Sequence, residues 1–257
     1  MKAVVLGSGS YSGTPKPLCS CENCSRARIN PAWRRTRFSF YFEGTLVDPS
    51  PDLHYHLERL NEKVEMVFIT HAHFDHIAGF PELQVFKEFD VYSHGQGVET
   101  AKRLASLFLG GAAPENREWR YHELPFNEWI ELDGMKVFHF RTVHRSIENS
   151  GGFVFELKGK RIAVTGDTGP EILGDKDALR AMEGADLLVA EMTHRESIPG
   201  VHLGVKEATE LARKVGAGYT VFAHISHSNY THEVLEKRIR EAGISGEVAR
   251  DFTWIEV

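Results

Sequence analysis

The feature that most constrains this chain is the run His71-Ala72-His73-Phe74-Asp75-His76, which directly follows the apolar segment VEMVFIT at 64–70. Side chains alternate along an extended segment, so the imidazoles of His71 and His73 fall on the same side. The chain then turns and presents Asp75 and His76 in a second direction. Such a dense set of strong ligands at the end of an apolar strand predicts a centre for two adjacent metal ions, because an ordinary polar turn rarely collects them.

Short β-rich segments and helical segments surround this run. The β-rich segments cover 2–7, 37–43, 45–48, 64–70, 135–144, 151–159, 160–167, 185–192 and 217–224. Helical periodicity covers 51–62, 98–109, 206–216 and 232–243. Two mixed β-sheets with helices on their outer faces would bury these segments best. The pattern therefore predicts an α/β fold, an αββα sandwich, although spacing alone also fits another α/β layering.

Length and composition fit one folded unit, because 257 residues with 42% hydrophobic and 26% charged side chains can bury a sizeable core. We therefore expect a single domain over residues 1–257. Thirty basic against thirty-six acidic side chains give a net charge of −6, which provides no general attraction to nucleic acid or anionic membranes. The N-terminus lacks a signal-peptide pattern, and no segment approaches the roughly 18 apolar residues of a membrane span. These features predict a cytoplasmic protein and leave a homodimer open.

The ligand run resembles the HxHxDH motif of the metallo-β-lactamase superfamily. That resemblance implies the metallo-β-lactamase fold and further ligands in a fixed order along the chain. The matching positions are His144 in TVHRS, Asp167 in VTGDTG and His224 in FAHISH. By this resemblance one ion is held by His71, His73 and His144, the other by Asp75, His76 and His224, and Asp167 bridges both.

Asp48 in TLVDPS also matches a superfamily position, an aspartate that orients the histidine loop without binding metal. A strand-ending aspartate that caps a turn is an equally good interpretation.

Two divalent ions about 3.5 to 4 Å apart can acidify one water and stabilise an in-line displacement. Zinc, manganese and iron all fit mixed histidine and carboxylate ligands.

Three cysteines, Cys19, Cys21 and Cys24, lie together in a loop at 19–24. An odd, crowded set is a poor disulfide framework, whereas the spacing C-x-C-x-x-C lets three thiolates reach one tetrahedral zinc. The fourth ligand is predicted to be His227, three residues after His224. The alternative is that the three reduced cysteines merely occupy a loop.

The combination of this cysteine segment, HxHxDH and a late HISH resembles a narrower group, the phosphoribosyl cyclic phosphate phosphodiesterases of the carbon–phosphorus lyase pathway. The pyrroloquinoline quinone biosynthesis B proteins share part of the pattern. The resemblance implies hydrolysis of a small cyclic or diester phosphate by a metal-bridging hydroxide that Asp75 orients. It also implies that His202 in GVHLG helps the alkoxide leave, although an exposed loop histidine is the competing interpretation. Glu191 and His194 fit either support of the site or the surface.

Other functions remain open at this point. The transfer-RNA 3′-end endonucleases share the ligand series, but the bacterial form inserts a substrate-gripping arm where this chain has only two predicted strands and a turn at 158–160. Thioester or lactone hydrolysis and a non-catalytic metal-binding protein are the further alternatives.

The arginines at 34, 35 and 37 could contact phosphate, but a solvated face or ion pairs within the chain explain them better. The glycines at 7, 9 and 13 do not make a dinucleotide fingerprint, because the last comes one position late and no helix follows.

Overall fold

The computed structural model describes residues 1–257 and contains two seven-stranded β-sheets packed face to face. The first sheet runs, from edge to edge, through β14 (Thr253–Glu256), β1 (Lys2–Gly7), β2 (Ser39–Phe42), β3 (Thr45–Val47), β4 (Met66–Phe68), β5 (Glu88–Ser93) and β6 (Glu118–Glu123). The second runs through β7 (Trp129–Leu132), β8 (Met135–Arg141), β9 (Gly151–Leu157), β10 (Lys160–Val164), β11 (Leu187–Glu191), β12 (Tyr219–Ala223) and β13 (Gly246–Val248).

Helices cover the outer faces of both sheets. They are α1 (Glu22–Ile29), α2 (Leu53–Leu60), α3 (Phe74–Ile77), α4 (Gly95–Leu109), α5 (Lys176–Met182), α6 (Val205–Val215) and α7 (His232–Glu241), with short 3-10 helices at Pro31–Trp33, Phe80–Val85 and Pro170–Gly174. None of these helices combines the length and the apolar character that a membrane span requires.

The two sheets share one pairing pattern, in which the first three strand pairs are antiparallel and the next three are parallel. Strands β3, β4 and β5 of the first sheet therefore correspond in position to β10, β11 and β12 of the second. In parallel arrangements the carboxyl ends of the strands meet at one edge, where the following loops come together. Asp48 follows β3, the HxHxDH run follows β4, Asp167 follows β10 and His224 follows β12.

The core has three layers. The middle layer lies between the sheets, where the ring of Phe155 is 4.9 Å from that of Phe68 and 5.1 Å from that of Phe42. The Phe68–Phe155 contact is edge-to-face and the Phe42–Phe155 contact is tilted, and aromatic contacts of this kind add to the stabilisation that burial of each ring provides. A second apolar layer lies beneath α2 and α4, and a third lies beneath α5, α6 and α7. The paired sheets thus hold the loops at their carboxyl edges on a rigid base.

The αββα sandwich predicted from the sequence is confirmed, whereas several elements were not predicted. The unpredicted elements are β5, β6, β7, β13, β14, α1, α3 and α5. Strands such as β6, EWRYHE, and β7, WIEL, expose alternate residues at or near a sheet edge, so their apolar content is low. The strand predicted over 135–144 ends at Arg141, which leaves His144 on a loop. The assignment of residues 1–257 to one domain stays a prediction.

Candidate metal centre

Three histidine nitrogens converge at one position of the predicted site. His73 Nδ1 lies 2.9 Å from His71 Nε2 and 3.1 Å from His144 Nε2. Zinc–nitrogen bonds of about 2.0–2.1 Å in a tetrahedral site would separate two ligand nitrogens by roughly 3.3 Å. The three rings are therefore close to the arrangement that a single divalent cation requires.

The hydrogen bonds behind these rings fix which nitrogen carries the lone pair. Thr70 donates its hydroxyl to Asp48 Oδ2 over 2.8 Å, so it accepts a hydrogen bond from His71 Nδ1, 3.0 Å away. His144 Nδ1 donates to the carbonyl of Val201 over 2.8 Å. The Nε2 atoms of His71 and His144 thus both present lone pairs. His73 can donate to only one of them, and a shared cation satisfies all three nitrogens.

A second group of ligands lies beside the first. Asp75 Oδ2 is 3.3 Å from His224 Nε2 and 3.5 Å from His76 Nε2. His76 donates from Nδ1 to Asp48 Oδ2 over 2.7 Å, and its Nε2 is buried without a hydrogen-bond partner. An unpartnered buried nitrogen with a lone pair is costly unless a cation binds it. This group therefore also fits a metal ion.

Asp167 lies between the two groups. Its Oδ2 is 3.4 Å from His76 Nε2 and 3.9 Å from His144 Nε2, while its Oδ1 is 3.5 Å from His224 Nε2. Burial raises the pKa of Asp167, but the neighbouring imidazoles of His224 and His76 outweigh it and hold that pKa well below its ordinary value. The pKa of Asp75 is lowered in the same way, with His76 first and His224 next among the opposing groups. Both carboxylates are thus ionised and available to a cation.

Asp48 lies directly behind the histidine loop and is fully buried. Its Oδ1 accepts a hydrogen bond from the backbone N–H of Thr70 over 2.8 Å, and its Oδ2 accepts from the Thr70 hydroxyl and from His76. This one carboxylate therefore fixes the orientation of His76 directly and of His71 through Thr70. Of the two interpretations drawn from the sequence, these contacts favour the one in which Asp48 orients the loop.

Asp48→Asn should weaken metal binding about 10- to 100-fold, the usual effect of losing a partner that orients a ligand. The amide cannot accept hydrogen bonds at both oxygen positions, so His76 loses its fixed orientation. We would measure the dissociation constant by competition with a chromophoric chelator. Asp90→Asn, at an exposed salt bridge with Arg120, is the control. Unchanged affinity in a folded Asp48→Asn protein would contradict this role.

His202 lies close to both groups and is held by Glu191. Its Nδ1 is 3.1 Å from Glu191 Oε2 and 3.8 Å from Asp167 Oδ2. Glu191 is buried, so the surface location considered for it is wrong; its Oε1 also accepts a hydrogen bond from the Thr168 N–H over 2.5 Å. Burial lowers the pKa of His202, but Glu191 and then Asp167 outweigh it and raise the pKa to about 9. The His202 imidazole is thus fixed through Nδ1.

The sequence profile of the beta-lactamase superfamily domain matches residues 45–225, which include the HxHxDH run, His144, Asp167 and His224. The chain belongs to the beta-lactamase superfamily. Ribonuclease BN of Escherichia coli is 30% identical over 256 residues, covering 76% of this chain and 82% of that protein. The predicted resemblance to metallo-β-lactamase superfamily hydrolases is thereby confirmed.

Two further relatives differ in how much of their length is matched. An octanoyltransferase of Porphyromonas gingivalis is 23% identical over 91% of this chain but only 47% of its own length, so the chain spans about half of that relative. The solved structure of a new diphosphatase from the PhnP family has a TM-score of 0.82 and 24% identity, covering 100% of this chain and 97% of that one. This likeness shows the fold.

The cysteine loop of this chain lies beside His227. Cys19 Sγ and Cys21 Sγ each lie 3.5 Å from His227 Nδ1, and Cys24 Sγ accepts a hydrogen bond from the Lys16 N–H over 3.2 Å. Zinc bonds of about 2.3 Å to sulfur and 2.0–2.1 Å to nitrogen would separate such atoms by about 3.5 Å. Burial raises the pKa of the Cys24 thiol to about 12, and a bound cation would favour the thiolate. The four side chains fit a single zinc.

Cys21→Ser should remove one equivalent of zinc from the protein, because a serine hydroxyl is a poor replacement for a thiolate. The unfolding temperature should fall as well, since zinc joins the cysteine loop to the segment after β12. Elemental analysis and thermal unfolding measure the two effects. Ser20→Ala, between Cys19 and Cys21, is the matched control. Equal zinc content in wild type and Cys21→Ser would contradict the site.

Several residues at this centre were not singled out from the sequence. Thr193 accepts a hydrogen bond from His224 Nδ1 over 2.9 Å, as Thr70 does from His71, and Ser146 Oγ lies 3.1 Å from His144 Nε2. The sequence offered one indication of their role, because each lies within two residues of a predicted ligand or of Glu191. His194 is half-buried, with its ring 5.5 Å from that of His202.

The arginine-bearing segment takes part in contacts within the chain. Arg35 is half-buried and donates to the Ser8 hydroxyl over 2.8 Å, while Arg37 forms a 3.2 Å ion pair with Asp52. No helix opens directly after the glycines at 7, 9 and 13, since α1 begins only at Glu22. These features support the rejection of the dinucleotide fingerprint and favour a structural role for both arginines.

Proposed function

We propose that the chain is a binuclear metal-dependent phosphodiesterase that hydrolyses a small diester or cyclic phosphate. The observation that carries this proposal is the position of Asp167 between two sets of ligand nitrogens, with His202 3.8 Å from its carboxylate. The proposed ligands are His71, His73 and His144 for one ion, and Asp75, His76 and His224 for the other. When bound, two divalent ions would acidify a water and stabilise charge on the phosphate.

The chain's own residues would orient the reacting groups. Asp75 is buried, and its carboxylate would accept a hydrogen bond from the attacking water and align it. His202 Nδ1 is occupied by Glu191, so its Nε2 would donate a proton to the leaving oxygen. Glu191 is a positioning residue, because it acts on the substrate only through His202. Ligand type allows zinc, manganese or iron at this centre.

We assign the separate cysteine site a structural zinc. All four of its positions are filled by Cys19, Cys21, Cys24 and His227, which leaves none for a substrate. Three neighbouring reduced thiols suit a reducing compartment, which supports a cytoplasmic location.

An RNA-processing endonuclease is the second candidate, favoured by the 30% identity to ribonuclease BN. The interval between His144 and Asp167 contains only a loop and the hairpin of β9 and β10, whose turn is Lys158-Gly159. No arm is inserted there that could grip a long RNA. The small diester therefore remains the leading substrate class.

The test is a substrate panel with manganese- or zinc-loaded protein: a chromogenic phosphodiester, the matching monoester, a thioester and a precursor transfer RNA. Diester hydrolysis that exceeds the other rates supports the proposal and justifies assays of cyclic sugar phosphates. Cleavage of the thioester with an untouched diester would replace it with a glyoxalase-like activity. Cleavage of the RNA alone would favour the endonuclease.

A further inference from the structure

Two exposed aromatic rings lie together beside the candidate metal centre. The side chains of Tyr11 and Phe74 are 62% and 52% exposed, and their ring centroids are 6.0 Å apart with an interplanar angle of 56°. Large rings exposed to water as a pair are unfavourable in the free protein, because each keeps apolar surface in solvent that burial would remove. Contact with a bound molecule would offset this cost.

The position of Phe74 connects the pair to the reacting groups. Phe74 stands between His73 and Asp75, and it begins α3. The backbone that turns both of these ligands inward leaves the ring of Phe74 outside. The ring of Phe74 therefore stands beside the proposed centre, where a group attached to a bound phosphate would contact it.

Tyr11 lies beside Phe74 but belongs to a different loop, and hydrogen bonds hold that loop in place. Arg37 Nε donates to the Tyr11 carbonyl over 3.1 Å, and the neighbouring Ser10 N–H donates to the carbonyl of Ile225 over 3.3 Å. Ile225 directly follows His224, so the Tyr11 loop packs against a ligand-bearing segment. Other exposed aromatics, such as Trp129 and Trp254, lie on the edge strands β7 and β14.

We propose that Tyr11 and Phe74 form a stacking surface for a nucleobase carried by the substrate, so that the preferred diester is a nucleoside phosphodiester. This inference rests on the proposed function. The alcohols of biological phosphodiesters that contain flat rings are mainly nucleosides, and any base can stack because each has a π-face. An aromatic surface without base-specific hydrogen bonds favours substrates that carry a base but does not discriminate between one base and another.

The test compares two substrates that differ only in the base: the methyl esters of adenosine 5′-phosphate and of ribose 5-phosphate. Hydrolysis of both is followed by phosphorus NMR with metal-loaded wild type, Phe74→Leu and Tyr11→Leu. Leucine keeps apolar volume but removes the ring. For the adenosine ester, kcat/KM should fall about 5- to 100-fold in each variant, the range expected for one stacked base. The ribose ester should be hydrolysed equally by all three proteins, and Trp254→Leu is the control for loss of an exposed ring.

Equal losses on both esters in Tyr11→Leu, or no loss on either, would overturn the stacking surface. Failure of the proposed function is distinguished by calorimetric titration of metal-loaded protein with adenosine 5′-monophosphate and with ribose 5-phosphate. Tighter binding of the nucleotide, lost in both leucine variants, supports the surface even without turnover. Equal affinity for the two phosphates in wild type rejects it.

Discussion

Asp167→Asn is expected to lower phosphodiester turnover about 10³-fold or more, since each tenfold loss corresponds to about 1.4 kcal/mol and metal ions supply several kcal/mol of transition-state stabilisation. The carboxylate is the only acidic group within 4 Å of both His144 Nε2 and His76 Nε2. Asparagine keeps the shape but removes the charge that offsets two cations. We would measure kcat with a chromogenic diester and metal content by elemental analysis.

The control for this variant is Asp175→Asn, which makes the same chemical change at the start of α5. Asp175 caps that helix by accepting hydrogen bonds from the N–H groups of Asp177 and Ala178, each over 3.0 Å, and asparagine caps helices equally well. Turnover by Asp175→Asn should equal that of wild type. A folded Asp167→Asn protein with nearly full activity would disprove the bridging assignment.

His202→Ala should lower turnover of a diester with an alkyl leaving group by about 10²- to 10⁴-fold, the usual contribution of a positioned proton donor. A nitrophenolate leaves without protonation, so hydrolysis of a nitrophenyl diester should decline far less. Comparison of kcat for the two esters therefore separates a general acid from a residue that only donates a hydrogen bond to the phosphate. A hydrogen-bond donor would affect both esters to a similar extent.

Glu191→Gln complements this experiment, because it leaves His202 present but removes the carboxylate 3.1 Å from Nδ1. We expect the same dependence on the leaving group with a smaller loss. Metal content should be unchanged in His202→Ala. A loss of metal there would instead identify His202 as a ligand, because its ring belongs to a group with Asp167, Glu191 and His224 that could hold an ion.

The HxHxDH run and most of the strands could be predicted because their signal is local. The HxHxDH run directly follows an apolar strand, and the single ligands His144, Asp167 and His224 could be chosen only through resemblance to a family. The structure brings all of them together, while their role in metal binding stays a prediction. Edge strands such as β6 and β7 were missed because Trp119 is their only buried residue, so few apolar side chains mark them as strands.

The supporting residues were harder to predict for a different reason. The contacts of Asp48 with His76 and of Glu191 with His202 join segments that are 28 and 11 residues apart. Such partners depend on how loops at the ends of different strands face one another, and no spacing rule in one sequence encodes that. The Tyr11–Phe74 pair is a similar case, because the two rings come from segments that are far apart in the sequence.

The shared strand pattern of the two sheets has a consequence for metal selectivity. His71, His73, Asp75 and His76 follow a strand of the first sheet, whereas His144, Asp167 and His224 follow strands of the second, so each sheet alone would supply only part of the proposed ligand set. Rings such as Phe42, Phe68 and Phe155 pack between the sheets, so their volume would set the distances across the proposed ligand set. In the proposed centre, the packing of these buried phenylalanines would therefore contribute to the choice of ion, in addition to the atoms that would touch the metal.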